Sequence, residues 1–323
     1  MKNSGKTIKN CRKKSVNLGI GEYDCNNHCI FCADGEKRKL PFPPSQKIFK
    51  MLEKWRKKTD SVLFCGPEPT INPELINFVK KAKNLGYTEI RLNSNGRLLS
   101  YFSFAKKLIE SGVNEICISF HGSNKRVHEA QTRAPGSFNQ TLKSCQNLSI
   151  LKANHKFRWY INFTYNKMNA ADIYKFLKLM LPFKGIHAIN ISAIMPKGRA
   201  LKYFDIVVPT YSELAKRFKM AVDRLEQSAI FKKNPKKELN IKFIGIPYCL
   251  MLGYENYIGL YNELYLSFKD SRNKKSMDFS EELDQEQIKG PQCRNCRYDN
   301  TCLGVWEEYI KRKGWKEFKP VNV

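Results

Sequence analysis

The segment Cys25-Asn-Asn-His-Cys29-Ile-Phe-Cys32 carries the strongest fold signal in this chain. It directly follows an apolar strand candidate at residues 15–21, so its three cysteines are expected on a loop at the carboxyl end of a strand. Three thiolates this close together can hold three irons of a 4Fe–4S cluster and leave the fourth iron open to a cosubstrate. The alternative is a zinc knuckle in which His28 is the fourth ligand.

Strand and helix patterns alternate downstream of this loop. Such alternation predicts an α/β fold built from βα units on a parallel sheet, and six units would form an open, partial (β/α)6 barrel. In sheets of this kind the chemistry lies on the loops at the carboxyl ends of the strands. The six strands are predicted at residues 15–21, 61–65, 89–93, 115–120, 156–165 and 187–194.

The 323 residues allow one large domain and a smaller one, or two domains of comparable size. The alternation weakens after about residue 200, and a lysine-rich stretch around Pro235 resembles a linker. We therefore predict a basic arm at 1–14, a core domain at 15–230 and a small cysteine-rich C-terminal domain at 231–323.

A second set of cysteines lies in the C-terminal domain. Cys293, Cys296 and Cys302 are close in sequence, and Cys249 precedes them by about forty residues. Four thiolates suffice for a closed 4Fe–4S cluster or for a structural zinc ion. The spacing by itself leaves both possibilities open.

The charge balance is strongly basic, with 57 Lys and Arg against 30 Asp and Glu, for a net charge of +27. This excess predicts an anionic partner, such as nucleic acid, an acidic peptide or a phosphorylated substrate. No apolar run is long enough to span a membrane, and the basic N-terminus is not followed by the apolar core of a signal peptide. We therefore expect a cytoplasmic protein without a membrane partner, whose 11 cysteines stay reduced.

Motifs at the ends of the next strands resemble those of the radical S-adenosylmethionine (radical SAM) superfamily. Cys65-Gly-Pro-Glu-Pro-Thr70 is similar to its Gly-Gly-Glu segment, with Pro67 in place of one Gly. Asn93-Ser-Asn-Gly96 is similar to its Thr-Asn-Gly turn. Ser119-Phe-His-Gly122, followed by Arg133, resembles the fourth-strand pattern of members that modify peptides and proteins.

The resemblance implies the cofactors and the chemistry. Cys25, Cys29 and Cys32 would hold a 4Fe–4S cluster whose open iron binds SAM. One electron from a donor such as flavodoxin or ferredoxin would cleave SAM reductively, and the resulting 5′-deoxyadenosyl radical would abstract hydrogen from a substrate. The residues implied to place SAM are Phe31, Gly66, Pro67, Glu68, Ser94, Asn95, Ser119 and Arg133.

The C-terminal cysteines resemble the SPASM and twitch extensions of these enzymes, which carry auxiliary clusters. The full SPASM pattern has another cysteine four positions after Cys302, where this chain has Trp306. The resemblance therefore implies one auxiliary 4Fe–4S cluster, held by Cys249, Cys293, Cys296 and Cys302.

Three functions are compatible with these features. The fourth-strand pattern and the auxiliary cysteines favour a radical SAM oxidoreductase or maturase that acts on a peptide or protein side chain, with an anionic segment as the substrate. The alternative is modification of RNA or of a nucleotide-like small molecule, which the basic charge would equally suit. A second alternative is an iron–sulfur or zinc protein without catalytic activity.

Overall fold

The computed structural model describes residues 15–20, 25–35, 42–228, 240–259 and 286–322. The predicted basic arm at 1–14, with Cys11, lies outside the described residues. The lysine-rich stretches at 232–237 and 269–275 also lie outside them.

The core of the described chain is one open parallel sheet, in which eight strands pair in chain order. The six predicted strands are all present, and the predicted α/β class is confirmed. Two further strands extend the sheet beyond the predicted six; they have four and two residues and are too short to show a period-two pattern. The strands are β1 (Ser15–Gly19), β2 (Ser61–Cys65), β3 (Glu89–Ser94), β4 (Glu115–Ser119), β5 (Arg158–Tyr165), β6 (Ile186–Ala193), β7 (Ile241–Ile244) and β8 (Ile258–Gly259).

Helices connect successive strands of the sheet, as parallel pairing requires. The sequence patterns did not indicate the helix at Lys125–Thr132, in which Val127 and Ala130 are the only apolar residues. They also did not indicate the two four-residue helices at Arg199–Lys202 and Phe204–Val207. Asn124 caps the helix at Lys125–Thr132 by accepting a hydrogen bond from the Val127 N–H at 3.1 Å. The helices are α1 (Ser45–Arg56), α2 (Leu75–Asn84), α3 (Phe102–Ser111), α4 (Lys125–Thr132), α5 (Ser137–Leu151), α6 (Ile173–Met180), α7 (Arg199–Lys202), α8 (Phe204–Val207), α9 (Tyr211–Glu226) and α10 (Glu307–Lys313).

Side chains of opposite character alternate along the strands. In β5, Trp159, Ile161 and Phe163 are completely buried, whereas Tyr160 and Asn162 on the other face are only half-buried. The buried set packs in the apolar core with the helices, where Phe163 meets Phe176 of α6 with ring centroids 4.4 Å apart. The sheet therefore has one apolar face and one polar face.

Charged side chains tie strands together at the amino-terminal end of the sheet. Arg91 donates to the Ser15 hydroxyl at 3.0 Å and pairs with Glu115, which also pairs with Arg158 at 2.8 Å. These charges are paired with one another, so they are part of the scaffold. The sequence motifs lie at the opposite, carboxyl end of the strands.

The C-terminal residues form a small antiparallel ribbon, β9 (Gln287–Ile288) and β10 (Val305–Trp306), followed by α10. Tyr309 of α10 packs edge-on against Tyr211 of α9 at 4.7 Å between ring centroids, and both contact Phe318. The Ser212 N–H also donates to Glu317 at 2.7 Å. Residues 286–322 therefore pack on the last long helix of the core. The domain boundary at 231 stays a prediction, since β7 and β8 belong to the core sheet.

Each helix in the described residues is too short or too polar to cross a membrane.

Candidate functional site

The three-cysteine loop lies beyond the carboxyl end of β1, and all three thiols are half-buried. Burial, followed by the charge of Glu68, raises the pKa of Cys25 to about 12. Burial also raises the pKa of Cys29, and the neighbouring Cys25 and Cys32 add to this effect. The three thiols therefore share one electrostatic site, in which a bound cationic centre is needed to stabilise the thiolates.

Helix α4 fixes the middle of this loop through the backbone. The Ile30 N–H donates to the carbonyl of Gln131 at 2.8 Å, and the His28 N–H donates to that of Thr132 at 2.7 Å. The last turn of α4 thereby sets the path between the cysteines. The His28 side chain is exposed.

The end of β3 fixes the start of the loop through side chains. Asn95 donates to the Asn26 side chain at 2.6 Å and approaches the Cys25 sulfur at 3.7 Å. Arg97 donates to the Asn26 carbonyl and to the Asn27 side chain. The sequence reasoning identified Asn95 and missed Arg97, although Arg97 directly follows the Asn93-Ser-Asn-Gly96 motif.

The turn after β6 closes on the end of the loop. The Arg199 N–H donates to the Cys32 carbonyl at 3.0 Å. Gly198 has φ 53° and ψ −122°, and a Cβ at this position would overlap the carbonyl of Ala33. Only glycine suits both this backbone and this close approach.

We therefore expect Gly198→Ala to lower the free energy of unfolding by more than about 3 kcal/mol, because left-handed strain and backbone overlap add together. Gly136→Ala is the matched control: it has φ 80°, and a Cβ added there would meet no atom within 4 Å. The control should lose only about 1–2 kcal/mol from the left-handed backbone. Urea denaturation of both variants measures the difference. Equal losses of unfolding free energy in the two variants would contradict the close approach of Gly198 to the carbonyl of Ala33.

The Glu68 carboxylate joins the ends of β2 and β3. It is completely buried and accepts hydrogen bonds from the Thr70 N–H and hydroxyl, from the Ser94 hydroxyl at 2.7 Å and from the Asn95 N–H at 2.7 Å. Burial raises its pKa, and these donors oppose that shift. Since a carboxylate has about four acceptor sites, the protein itself already uses them. Glu68 therefore positions the two turns, and we expect its influence on SAM to act through Ser94 and Asn95.

The remaining SAM-placing candidates lie around the same end of the sheet. Gly66 is exposed and Pro67 is half-buried, so their backbone is accessible. Ser119 is half-buried at the end of β4, and the ring of Phe31 meets that of His121 edge-on at 4.9 Å. Their contacts with SAM stay predictions.

Arg133 follows α4 in the left-handed conformation, with φ 51°. Its side chain is exposed, and the guanidinium lies 4.9 Å from the ring centre of Tyr203. The predicted grip of Arg133 on the SAM carboxylate stays a prediction.

Two buried histidines support the loops at this end. The Thr164 N–H donates to Nδ1 of His121, and the His121 N–H donates to Nδ1 of His128, both at 3.1 Å. Burial lowers the pKa of His121 to about 3, so its ring is neutral and carries its proton on Nε2. The sequence left both histidines without a definite role; their observed contacts are structural.

The donor set fits the cluster that the sequence predicts. The fold brings the three thiols close enough to influence one another electrostatically. The Asn27 N–H donates to the Cys25 sulfur at 3.4 Å, and the buried guanidinium of Arg199 lies beside this loop. Among the described residues, no three Cys, His, Asp or Glu side chains converge to surround a single metal ion. A cubane offers a separate iron to each thiolate, so its ligands need not converge on one point.

The second cysteine set also comes together in the fold. Cys249, Cys293, Cys296 and Cys302 line one cavity with aromatic side chains that include Tyr248, Tyr298 and Phe318. Burial, then the three other cysteines, raises the pKa of Cys249 to about 12. Backbone N–H groups of Gly304 and Val321 donate to the sulfurs of Cys302 and Cys296, each at 3.4 Å. The arrangement suits a four-thiolate centre.

Comparison with known sequences identifies the core of the chain. The radical SAM superfamily profile matches residues 23–180. A probable GTP 3′,8-cyclase of Saccharolobus islandicus is 27% identical over 180 residues, which are 54% of this chain and 55% of that protein. The 7,8-dihydro-6-hydroxymethylpterin dimethyltransferase of Methanocaldococcus jannaschii is 33% identical over 109 residues, which are 32% of this chain and 22% of that protein. The match thus spans about half the length of the cyclase and a smaller share of the dimethyltransferase.

Solved structures share the fold over nearly the whole chain. Native anSMEcpe with bound AdoMet and Kp18Cys peptide has a TM-score of 0.65 at 15% identity, covering 96% of this chain and 92% of that one. SuiB of Streptococcus suis bound to S-adenosylmethionine has a TM-score of 0.61 at 14% identity, covering 94% and 76%. At these identities the likeness concerns the fold alone. Through the profile match and the motif order, residues 23–180 form a radical SAM superfamily core.

Proposed function

We propose that this protein reductively cleaves SAM and uses the resulting radical on a nucleotide-like small molecule. The observation that carries the first part is the three-thiol loop, which Asn95, Gln131 and Arg199 hold from three different elements. When bound, the 4Fe–4S cluster and SAM would supply a 5′-deoxyadenosyl radical able to abstract hydrogen from carbon.

The residues of the chain orient and shield that chemistry. Cys25, Cys29 and Cys32 would hold the cluster. The Glu68 network keeps Ser94 and Asn95 in place beside it, and the accessible backbone of Gly66 and Pro67 is available to the SAM ammonium. The ring of Phe31, within the loop, packs edge-on against the buried ring of His121. Fixed polar groups of this kind replace water around the reactants.

The relatives favour the nucleotide-like alternative over the peptide prediction. One is named for GTP and another for a hydroxymethylpterin. Guanine and pterin share a fused amino-oxo-pyrimidine ring, which presents the same hydrogen-bonding edge. We therefore propose a substrate that contains such a ring. The net charge of +27 would suit its phosphate groups as well as it suits an acidic peptide.

We also propose an auxiliary 4Fe–4S cluster at Cys249, Cys293, Cys296 and Cys302. The cavity that these four thiols line, and the two N–H donors to sulfur, support a metal centre there. The radical SAM context favours iron over zinc.

Substrate-dependent turnover tests the proposal. The anaerobically reconstituted protein is incubated with dithionite and SAM, and 5′-deoxyadenosine is measured by mass spectrometry. Separate reactions contain GTP, 7,8-dihydro-6-hydroxymethylpterin, an acidic peptide pool or cell-derived RNA. We expect GTP or the pterin to raise the yield at least about tenfold over the uncoupled background, since a bound substrate commits the radical to transfer.

Other outcomes identify the other functions. Stimulation by the peptide pool alone would restore the peptide prediction, and stimulation by RNA alone would support RNA modification. A cluster-loaded protein that leaves SAM intact in all four reactions would favour the non-catalytic alternative.

A further inference from the structure

Arg199, the first residue of α7, is a buried cation without a counter-ion in the described part of the chain. Its side chain is 3% exposed. Within the residues that the structure describes, its Nε and Nη1 atoms have no hydrogen-bond partner. Burying a guanidinium without a counter-ion has a large unfavourable desolvation free energy. We therefore expect a negative charge to lie near Arg199 in the functional protein.

The surroundings of Arg199 identify where that charge would lie. Its N–H donates to the Cys32 carbonyl at 3.0 Å. A Cβ on Gly35 would overlap its side chain from Cγ to Nε, so the end of the cysteine loop packs directly on the guanidinium stem. Arg199 is thus held against the three-cysteine loop by its backbone and by its side chain.

A cluster held by three thiolates carries net negative charge, and that charge grows by one when the cluster accepts an electron. A nearby cation in a low-dielectric site stabilises the more negative state more strongly. The protein's levers on the potential of such clusters include the net charge around them.

We propose that Arg199 is the buried counter-charge of the cluster at Cys25, Cys29 and Cys32 and makes this cluster easier to reduce. The inference rests on the proposed function, because it requires that cluster. Arg199 does not contact SAM or the substrate in this proposal. Its charge acts on the cluster, where it shifts the equilibrium between the oxidised and reduced forms toward the reduced form. The electron comes from a low-potential donor of the flavodoxin or ferredoxin class, or from dithionite in vitro.

The test compares the full-length variants Arg199→Met and Arg199→Lys with Arg217→Met. Arg217 is a suitable control, since it is exposed on α9 and pairs with Glu213 one turn earlier. Each reconstituted protein is titrated anaerobically with redox dyes while its cluster signals are followed by electron paramagnetic resonance. The signal that changes on addition of SAM belongs to the open-iron cluster and is separated in this way from any auxiliary cluster.

We expect Arg199→Met to shift the reduction equilibrium of the SAM-sensitive cluster at least about tenfold toward the oxidised form, which lowers its midpoint potential by about 59 mV for one electron. Arg199→Lys should recover most of the shift, and Arg217→Met should show none. Iron loss in Arg199→Met with full iron in Arg199→Lys would also support the counter-charge.

Two results would overturn the inference while leaving the proposed function intact. One is an unchanged midpoint in a fully loaded Arg199→Met protein. The other is equal iron loss in Arg199→Met and Arg199→Lys, which would show that the shape of arginine is needed and not its charge. A wild-type protein without any SAM-sensitive cluster would overturn the proposed function itself.

Discussion

Simultaneous replacement of Cys25, Cys29 and Cys32 by alanine is expected to abolish SAM cleavage and to remove about half of the iron. The reconstituted wild-type protein should contain about eight irons, because each of the two cysteine sets has enough thiolates for a four-iron cluster. The triple variant should retain about four irons, bound at the C-terminal set. Iron and zinc analysis, together with the assay for 5′-deoxyadenosine, measures both effects.

Cys145→Ala is the matched control, since this thiol is completely buried on α5 in the apolar core. Its loss should cost some stability without changing the iron content. About four irons and one zinc in the native protein would contradict the auxiliary cluster and leave the SAM site in place. SAM cleavage by the triple variant would contradict the assignment of the three-cysteine loop.

Glu68→Ala is expected to weaken SAM binding while most of the iron is retained. The substitution leaves the Ser94 hydroxyl and the Asn95 N–H without the acceptor that holds both turns. We expect the displaced turns to lose one hydrogen bond to a charged group of SAM. Such a bond contributes on the order of 1.5–3 kcal/mol, so the affinity for SAM should fall roughly ten- to hundredfold. Isothermal titration calorimetry of the reconstituted protein measures this loss.

Glu115→Gln is the control for stability alone. Glu115 pairs with Arg91 and Arg158 at the amino-terminal end of the sheet, away from the cysteine loop. This variant should unfold more easily and bind SAM normally. Equal SAM affinity in Glu68→Ala and the wild type would contradict the positioning role of Glu68.

Much of the fold could be predicted because the relevant signals are local. Strands β1 to β6 are apolar segments bounded by turns, and the motifs at their ends are contiguous in sequence. Helix α4 escaped prediction because Lys125–Thr132 is mostly polar and depends on its Asn124 cap and on its contacts with the cysteine loop. Strands β7 and β8 were not predicted because their stability comes from pairing between strands. β7 pairs with β6, and β8 pairs with β7, and no local sequence pattern indicates this pairing.

The α/β class, the order of the first six strands and both sets of cysteines follow from the amino-acid sequence, since spacing and periodicity are properties of contiguous residues. The folded chain was needed to show that Glu68 is saturated by donors from two turns and that Asn95 and Arg97 hold the start of the cysteine loop. It was also needed to place Arg199 against the end of that loop, because Arg199 lies far beyond Cys32 in the sequence. These arrangements depend on which strand ends meet in space, and their energies come from burial and from hydrogen bonds between residues far apart in the chain.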